Sequence, residues 1–176
     1  MQGVLHKNQS GLVHLDINNS DDVLGTYQQL KSIFAKETQD GTRREILIEP
    51  MASLGVDLLV GTHIDPTFGP VVIFGWGGIH AEILDKTSMR LAPISEVDAT
   101  EMMTEVQGFP KIAEDALGGN VEWSPFRNIL VQISQIASNK QKELESIDLN
   151  PIRITNKNGE CQVLDASVVL RNSKNA

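Results

Sequence analysis

The chain has 176 residues, 40% of them apolar and 22% charged, with a formal net charge of −8. That composition fits a globular protein with one real core or two closely packed subdomains, and the acidic balance argues against nucleic acid or an anionic membrane as partner. A single cysteine, Cys161, excludes an internal disulfide, no apolar run reaches the length of a membrane span, and the N-terminus has no signal-peptide pattern, so a cytoplasmic protein is expected.

In chain order, Leu12-Val13-His14-Leu15-Asp16-Ile17 alternates as a strand would. Ser20 then stands as an N-cap for a helix over 21–36, with Val23, Tyr27, Leu30 and Phe34 at helical spacing. Gly41 closes that unit. Ile46-Leu47-Ile48 reads as a strand and Val56 to Ile64 as a longer one. The turn-rich Asp65-Pro66-Thr67-Phe68-Gly69-Pro70 leads into Val71-Val72-Ile73-Phe74, and a β-meander is the natural arrangement. Gly75-Trp76-Gly77-Gly78-Ile79 follows, then Glu82 and the strand-like Met89-Arg90-Leu91-Ala92. Glycines let a backbone lie against a ligand and offer its N–H groups to phosphate. The spacing matches neither the dinucleotide fingerprint nor the Walker loop, and a plain connection is the competing reading.

Ser95 with Asp98 predicts a capping box for a helix that buries Ala99, Met102, Met103 and Val106. Residues Gly108 to Trp123 read as a short helix within a loop. Ser124-Pro125 supplies an N-cap and a first-turn proline for a helix whose apolar face is Phe126, Ile129, Leu130, Ile133, Ile136 and Ala137. A charged connector from Lys140 to Glu145 leads to a final hairpin, and 171–176 form a polar tail. The layout is α+β, with helices packed on an antiparallel sheet.

The hairpin runs from Ile147 to Ile154, turns at Asn156-Lys157-Asn158-Gly159, and returns from Cys161 to Ala166. Pairing Asn156 with Gly159 sets Asn150 directly opposite Asp165, with Cβ atoms roughly 4.5–5.5 Å apart. Strand alternation turns Asp148 to the same face as Asn150. Two carboxylates and an amide oxygen form a hard donor set suited to Mg²⁺, which leaves its other positions for water or phosphate oxygens. The alternative is a solvated face of an amphipathic hairpin. Pro151 directly after Asn150 limits this strand to an edge or an irregular position, where a ligand has access.

His6 and Lys7 suit proton or phosphoryl transfer and phosphate binding, or they are polar residues at a chain terminus. His14, His63 and His80 have no spacing that suggests zinc. Arg90, just past the glycine loop, is placed to reach a phosphate or to stand exposed on its strand. Cys161 has no helix N-terminus or basic residue near it in sequence, so no reactive thiolate is expected.

Taken together, Glu49-Pro50-Met51, Asp65-Pro66-Thr67-Phe68-Gly69-Pro70, Gly75-Trp76-Gly77-Gly78-Ile79, Glu82, Arg90-Leu91-Ala92-Pro93 and Asp148-Leu149-Asn150-Pro151 resemble the ATP-grasp domain of NDP-forming acyl-CoA synthetases, a family related to succinyl-CoA synthetase and to bacterial protein lysine acetyltransferases carrying the same domain. The resemblance covers about 1–170 and implies an ATP-grasp-like antiparallel sheet with packed helices, lacking the N-terminal small subdomain. It implies that Asn150 and Asp165, with Asp148 beside them, coordinate the Mg²⁺ of bound ATP or ADP. Glu49 and Met51 match the hinge that reads the adenine edge, Gly77, Gly78, Glu82, Arg90 and Lys7 line the nucleotide, and His6 matches a histidine that relays a phosphoryl group. The chain departs from the pattern in several places. The family's His-Lys-x-Asp-x-Gly-Gly-Val stands here as His6-Lys7-Asn8-Gln9-Ser10-Gly11-Leu12-Val13, Lys86 occupies an acidic position, and Ser167 a basic one.

The implied reaction turns acyl-CoA, phosphate and ADP into free acid, CoA and ATP through phosphohistidine. This chain would be its nucleotide and Mg²⁺ binding portion, inactive alone, with a CoA-binding subunit or domain of the same enzyme as partner and a homo-oligomer as a further possibility. The competing expectation is a non-catalytic interaction or regulatory domain that keeps the fold without nucleotide turnover.

Overall fold

The computed structural model describes residues 12–37, 45–78, 87–155 and 159–171. The chain divides into two compact units, Met1–Met51 and Ala52–Ala176. In the first, helix α1 spans Ser20–Glu37. Its cap is Asn19 rather than the expected Ser20: the Asn19 Oδ1 accepts from the amides of Asp21 and Asp22 at 3.0 and 2.9 Å. Both residue types cap well, and the amide oxygen one position earlier takes the two donors that a helix start leaves unpaired. The strands expected at 12–17 and 46–48 are not formed. Strand backbone needs a neighbour to take its N–H and C=O groups, and no strand among the described residues pairs with either segment. Leu47 and Ile48 are accordingly 78% and 74% exposed.

The second unit is the α+β layout that the patterning predicts. Strands β1 (Gly55–Asp65), β2 (Gly69–Trp76), β3 (Thr87–Leu91), β4 (Leu144–Thr155) and β5 (Cys161–Val163) lie in the order β3-β2-β1-β4-β5, and β6 (Ala166–Leu170) also pairs with β4. All pairings are antiparallel. At the β1–β2 turn, the Asp65 carboxylate accepts the amides of Phe68 and Thr67, which holds its pKa below the usual range.

Helices α2 (Glu96–Glu105), α3 (Lys111–Leu117) and α4 (Ser124–Asn139) pack on this sheet. The Ser95–Asp98 capping box forms as read from sequence, and Ala99, Met102, Met103 and Val106 are buried. Helix α4 is capped by Trp123 without a side-chain bond, and Ser124, expected as the cap, is its first residue. The Ser124 N–H is taken instead by the Glu122 carboxylate at 2.9 Å. Phe126, Leu130 and Ala137 are fully buried, but Ile136 at the rim is 45% exposed.

Period-2 alternation sends Val56, Leu58 and Val60 of β1, Val72, Phe74 and Trp76 of β2, and Ile147, Leu149, Ile152 and Ile154 of β4 into one core. Phe74 meets Phe109 and Phe126 edge-on, with ring centroids 5.2 and 5.5 Å apart, a favoured aromatic geometry. Ser134 lies fully buried within this core: its hydroxyl donates to the Val131 carbonyl at 2.7 Å and accepts the Ile94 N–H at 3.1 Å.

Candidate functional site

The face of the sheet turned away from α2, α3 and α4 carries the polar residues of the same strands. Register sets them in cross-strand rows. Asp148 of β4 lies between Gly61 of β1 and Ser167 of β6, and Arg153 lies between Asp57 and Gln162. One register runs through both β5 and β6, because Ile152 faces Val163 and Leu149 faces Ala166. That register sets Asn150 opposite Asp165, and the Asn150 N–H donates to the Asp165 carbonyl at 3.1 Å.

A β-bulge makes this arrangement possible. Leu58 pairs with Ile152 and Val60 with Leu149, so Asn150 and Pro151 together oppose Leu59. Without the extra residue, alternation from Leu149 would put Pro151 and Arg153 in the core and expel Ile152 and Ile154. With it, both isoleucines stay fully buried and Arg153 joins Asp148 on the polar face. The cross-strand neighbour of Asp148 on β1 is Gly61, where an added Cβ would make only ordinary van der Waals contact with Asp148 Oδ1, at 3.8 Å.

The glycine turn closes one side of the group. Gly77 donates its N–H to the Asp57 carbonyl at 2.9 Å and lies so close to β1 that an added Cβ would be 2.6 Å from the Leu58 carbonyl carbon and oxygen. Gly78 adopts a left-handed φ of 58°, and its N–H points at Asn150 Oδ1 at 3.4 Å. The Gly77 N–H is thus committed to β1, and the Gly78 N–H faces Asn150. A carbonyl oxygen has two lone pairs, so Asn150 Oδ1 keeps acceptor capacity beyond that long contact. Beneath the turn, Arg153 grips Asp57 through Nε to Oδ1 at 2.7 Å and Nη2 to Oδ2 at 2.9 Å. This hydrogen-bonded carboxylate raises the pKa of the Arg153 guanidinium.

The donors fit a hard divalent cation. Asp148 and Asp165 are exposed, Asn150 is half-buried, and all three offer oxygen. Asp165 Oδ1 also accepts the Ala166 N–H at 3.0 Å. Among the described residues no three His, Cys, Asp or Glu are grouped to hold a metal by themselves. A partial all-oxygen set is what Mg²⁺ uses when phosphates and water complete its shell.

Other expected site residues lie elsewhere. Arg90 pairs with Val72 on β2 and therefore projects onto the helix-covered face. There its Nη1 donates to Glu105 Oε2 at 3.0 Å, with Glu101 at 3.8 Å. Glu105 also accepts the Ser88 hydroxyl at 2.6 Å. The Arg90 pair, then the Ser88 bond, hold the Glu105 carboxyl below its ordinary pKa, and Glu105 raises that of Arg90. Arg90 thus stands in an ion pair that ties β3 to α2. Glu49 and Met51 are exposed and belong to the first unit. His6, Lys7 and Glu82 lie outside the described residues. Burial pushes the Cys161 thiol up to about 11, which agrees with an unreactive cysteine. Sequence reasoning missed Asp57 and Arg153, each a charge inside an apolar strand run.

Residues 1–170 match the family model described as the ATP-grasp domain. Over 168 residues the chain is 29% identical to the β subunit of the ADP-forming acetate–CoA ligase II of Pyrococcus furiosus, covering 96% of this chain and 71% of that one. It is 33% identical over 149 residues to the β subunit of ligase I from the same organism, covering 85% of this chain and 64% of the relative. The dinucleotide forming acetyl-coenzyme A synthetase 1 of Ca. Korarchaeum cryptofilum, solved in complex with coenzyme A and Mg-AMPPCP, superposes with a TM-score of 0.74 at 30% identity. That match covers 97% of this chain and 73% of the solved one.

Proposed function

The chain belongs to the ATP-grasp domain family, and from that premise we propose that it is the Mg-nucleotide binding portion of an ADP-forming acyl-CoA synthetase. The overall reaction would be acyl-CoA, phosphate and ADP to free acid, CoA and ATP through phosphohistidine. Asp148, Asn150 and Asp165 hold the Mg²⁺, which when bound neutralises phosphate charge. Gly78 offers its amide toward the phosphates, and Gly77 serves by letting the backbone lie flat against β1. Glu49 and Met51 contact the adenine. His6 relays the phosphoryl group, with Lys7 and Glu82 at the nucleotide. Arg90 acts at a distance, by holding β3 to α2. Phosphoryl transfer needs little covalent chemistry from protein, so placed donors and charge neutralisation suffice.

The observation that carries this reading is the single hairpin register, which sets Asn150 opposite Asp165 and turns Asp148 to the polar face. The Pyrococcus relatives are named as β subunits, and the partner we propose is a CoA-binding subunit or domain of the same enzyme, in the cytoplasm. Self-association is a second mode of assembly.

Isothermal titration of ADP and ATP into the chain, with and without Mg²⁺, tests the reading. Heat that requires Mg²⁺ and vanishes in Asn150→Ala and Asp165→Ala is the expected result. No heat and no thermal stabilisation at millimolar nucleotide would overturn it in favour of a non-catalytic interaction domain.

A further inference from the structure

Asp57 and Arg153 are the charged members of two strand stretches that are otherwise apolar, and their side chains are only 20% and 23% exposed. A mostly buried ion pair is a weak source of stability, since apolar residues of the same shape serve a core as well. Geometry is what this pair supplies. Both oxygens of Asp57 are taken by the planar Arg153 fork, so the plane of the carboxylate is set.

The glycine turn rests on that carboxylate. Asp57 meets the turn in two ways: its carbonyl accepts the Gly77 N–H at 2.9 Å, and its side chain occupies the space beside Gly78, where any added Cβ would come within 3.1 Å of Oδ2. From this seat the Gly78 N–H reaches the side-chain oxygen of Asn150. Asn150 is on β4, three residues before Arg153. The contacts therefore form a closed ring, from Arg153 to Asp57, to Gly77 and Gly78, to Asn150 and back along β4.

We propose that Asp57 and Arg153 are positioning residues that seat the Gly77-Gly78 turn and thereby aim the Asn150 side-chain oxygen at a divalent cation. The inference deepens the proposed function and rests on the metal role given there to Asn150. Neither residue touches the cation. Outer partners of this kind orient the groups that do.

Two variants and two readouts test the clamp. Arg153→Met keeps the aliphatic stem and removes the fork, and Asp57→Asn keeps the shape and removes the charge. In the nucleotide-free chain, the NMR resonances of the Gly78 amide and the Asn150 side-chain amide should move in both variants while those of core Phe126 and Leu130 stay. The Mg²⁺ concentration needed for half-maximal AMPPCP binding should rise by about 10- to 100-fold, the range typical of lost outer-shell partners. A variant that loses thermal stability yet keeps both amide resonances and the Mg²⁺ midpoint of the parent would overturn the proposal, because a purely structural pair predicts that result. If the parent chain shows no Mg²⁺-dependent AMPPCP binding, the metal reading fails and the NMR arm alone decides the clamp. Unmoved Gly78 and Asn150 resonances then refute it, and moved ones support it.

Discussion

On the helix-covered face of the sheet, Leu58, Val60, Phe74, Ile152 and Ile154 are wholly buried, whereas on the opposite face the same strands carry Asp57, Asp148, Asn150 and Arg153. Successive residues of one strand serve opposite purposes. The apolar face supplies burial, which is non-directional and tolerates exchange of one large side chain for another of similar volume. The polar face depends on direction, because a carboxylate turned away or slipped by one register is lost to its site. A bulge at Asn150 and Pro151 keeps the two faces in phase.

The contrast can be broken most severely from the apolar side. Phe74→Ala removes a ring fully buried between Phe109 and Phe126. It should cost about 3–5 kcal/mol in urea unfolding. Ser134→Ala leaves the buried Ile94 N–H without its acceptor, and the expected loss is about 1–3 kcal/mol. On the polar side, Asp165→Ala, at an exposed position, should change stability by no more than about 0.5 kcal/mol, and Asn150→Ala by about 1 kcal/mol through loss of its bond from the Gly78 N–H, while both abolish Mg²⁺-dependent nucleotide heat. A large stability loss in those two would erase the division between the faces.

Glu105 gives the smallest effect and a sign that can be checked. Its folded pKa is depressed by Arg90 and then Ser88, so its contribution is fully present above the unfolded value near about 4.3. It is lost as pH falls through the depressed folded value. Thermal midpoints of Glu105→Gln should therefore lie below the parent at pH 7 and approach it as the pH drops toward 3. A gap that widened on acidification would contradict the Arg90–Glu105 pairing as the cause.

Much of the fold was legible because its signals are local. The capping box at Ser95, the stripe on α4 and the turn after Asp65 need only a few neighbouring residues to be read. The misreadings are those in which local pattern required a distant partner. Segments 12–17 and 46–48 have strand alternation but no strand beside them among the described residues. Arg90 follows the glycine loop in sequence, but its pairing with Val72 turns it to the other face of the sheet. The local pattern gives Ser134 no role, because the Ile94 N–H that its hydroxyl accepts lies 40 residues away in sequence.

What the sequence by itself determined is the hairpin and, given a four-residue turn closed by Asn156 and Gly159, the register that joins Asn150 to Asp165, since turn chemistry and period-2 alternation act over neighbouring residues. Only the tertiary structure decided that Asp57, 96 positions from Arg153, becomes its ion-pair partner beneath the glycine turn. The bulge that keeps Arg153 out of the core belongs to the same tertiary layer. Pairing of β1 with β4 is a long-range closure, driven by burial of their shared apolar face, and no local preference specifies its register.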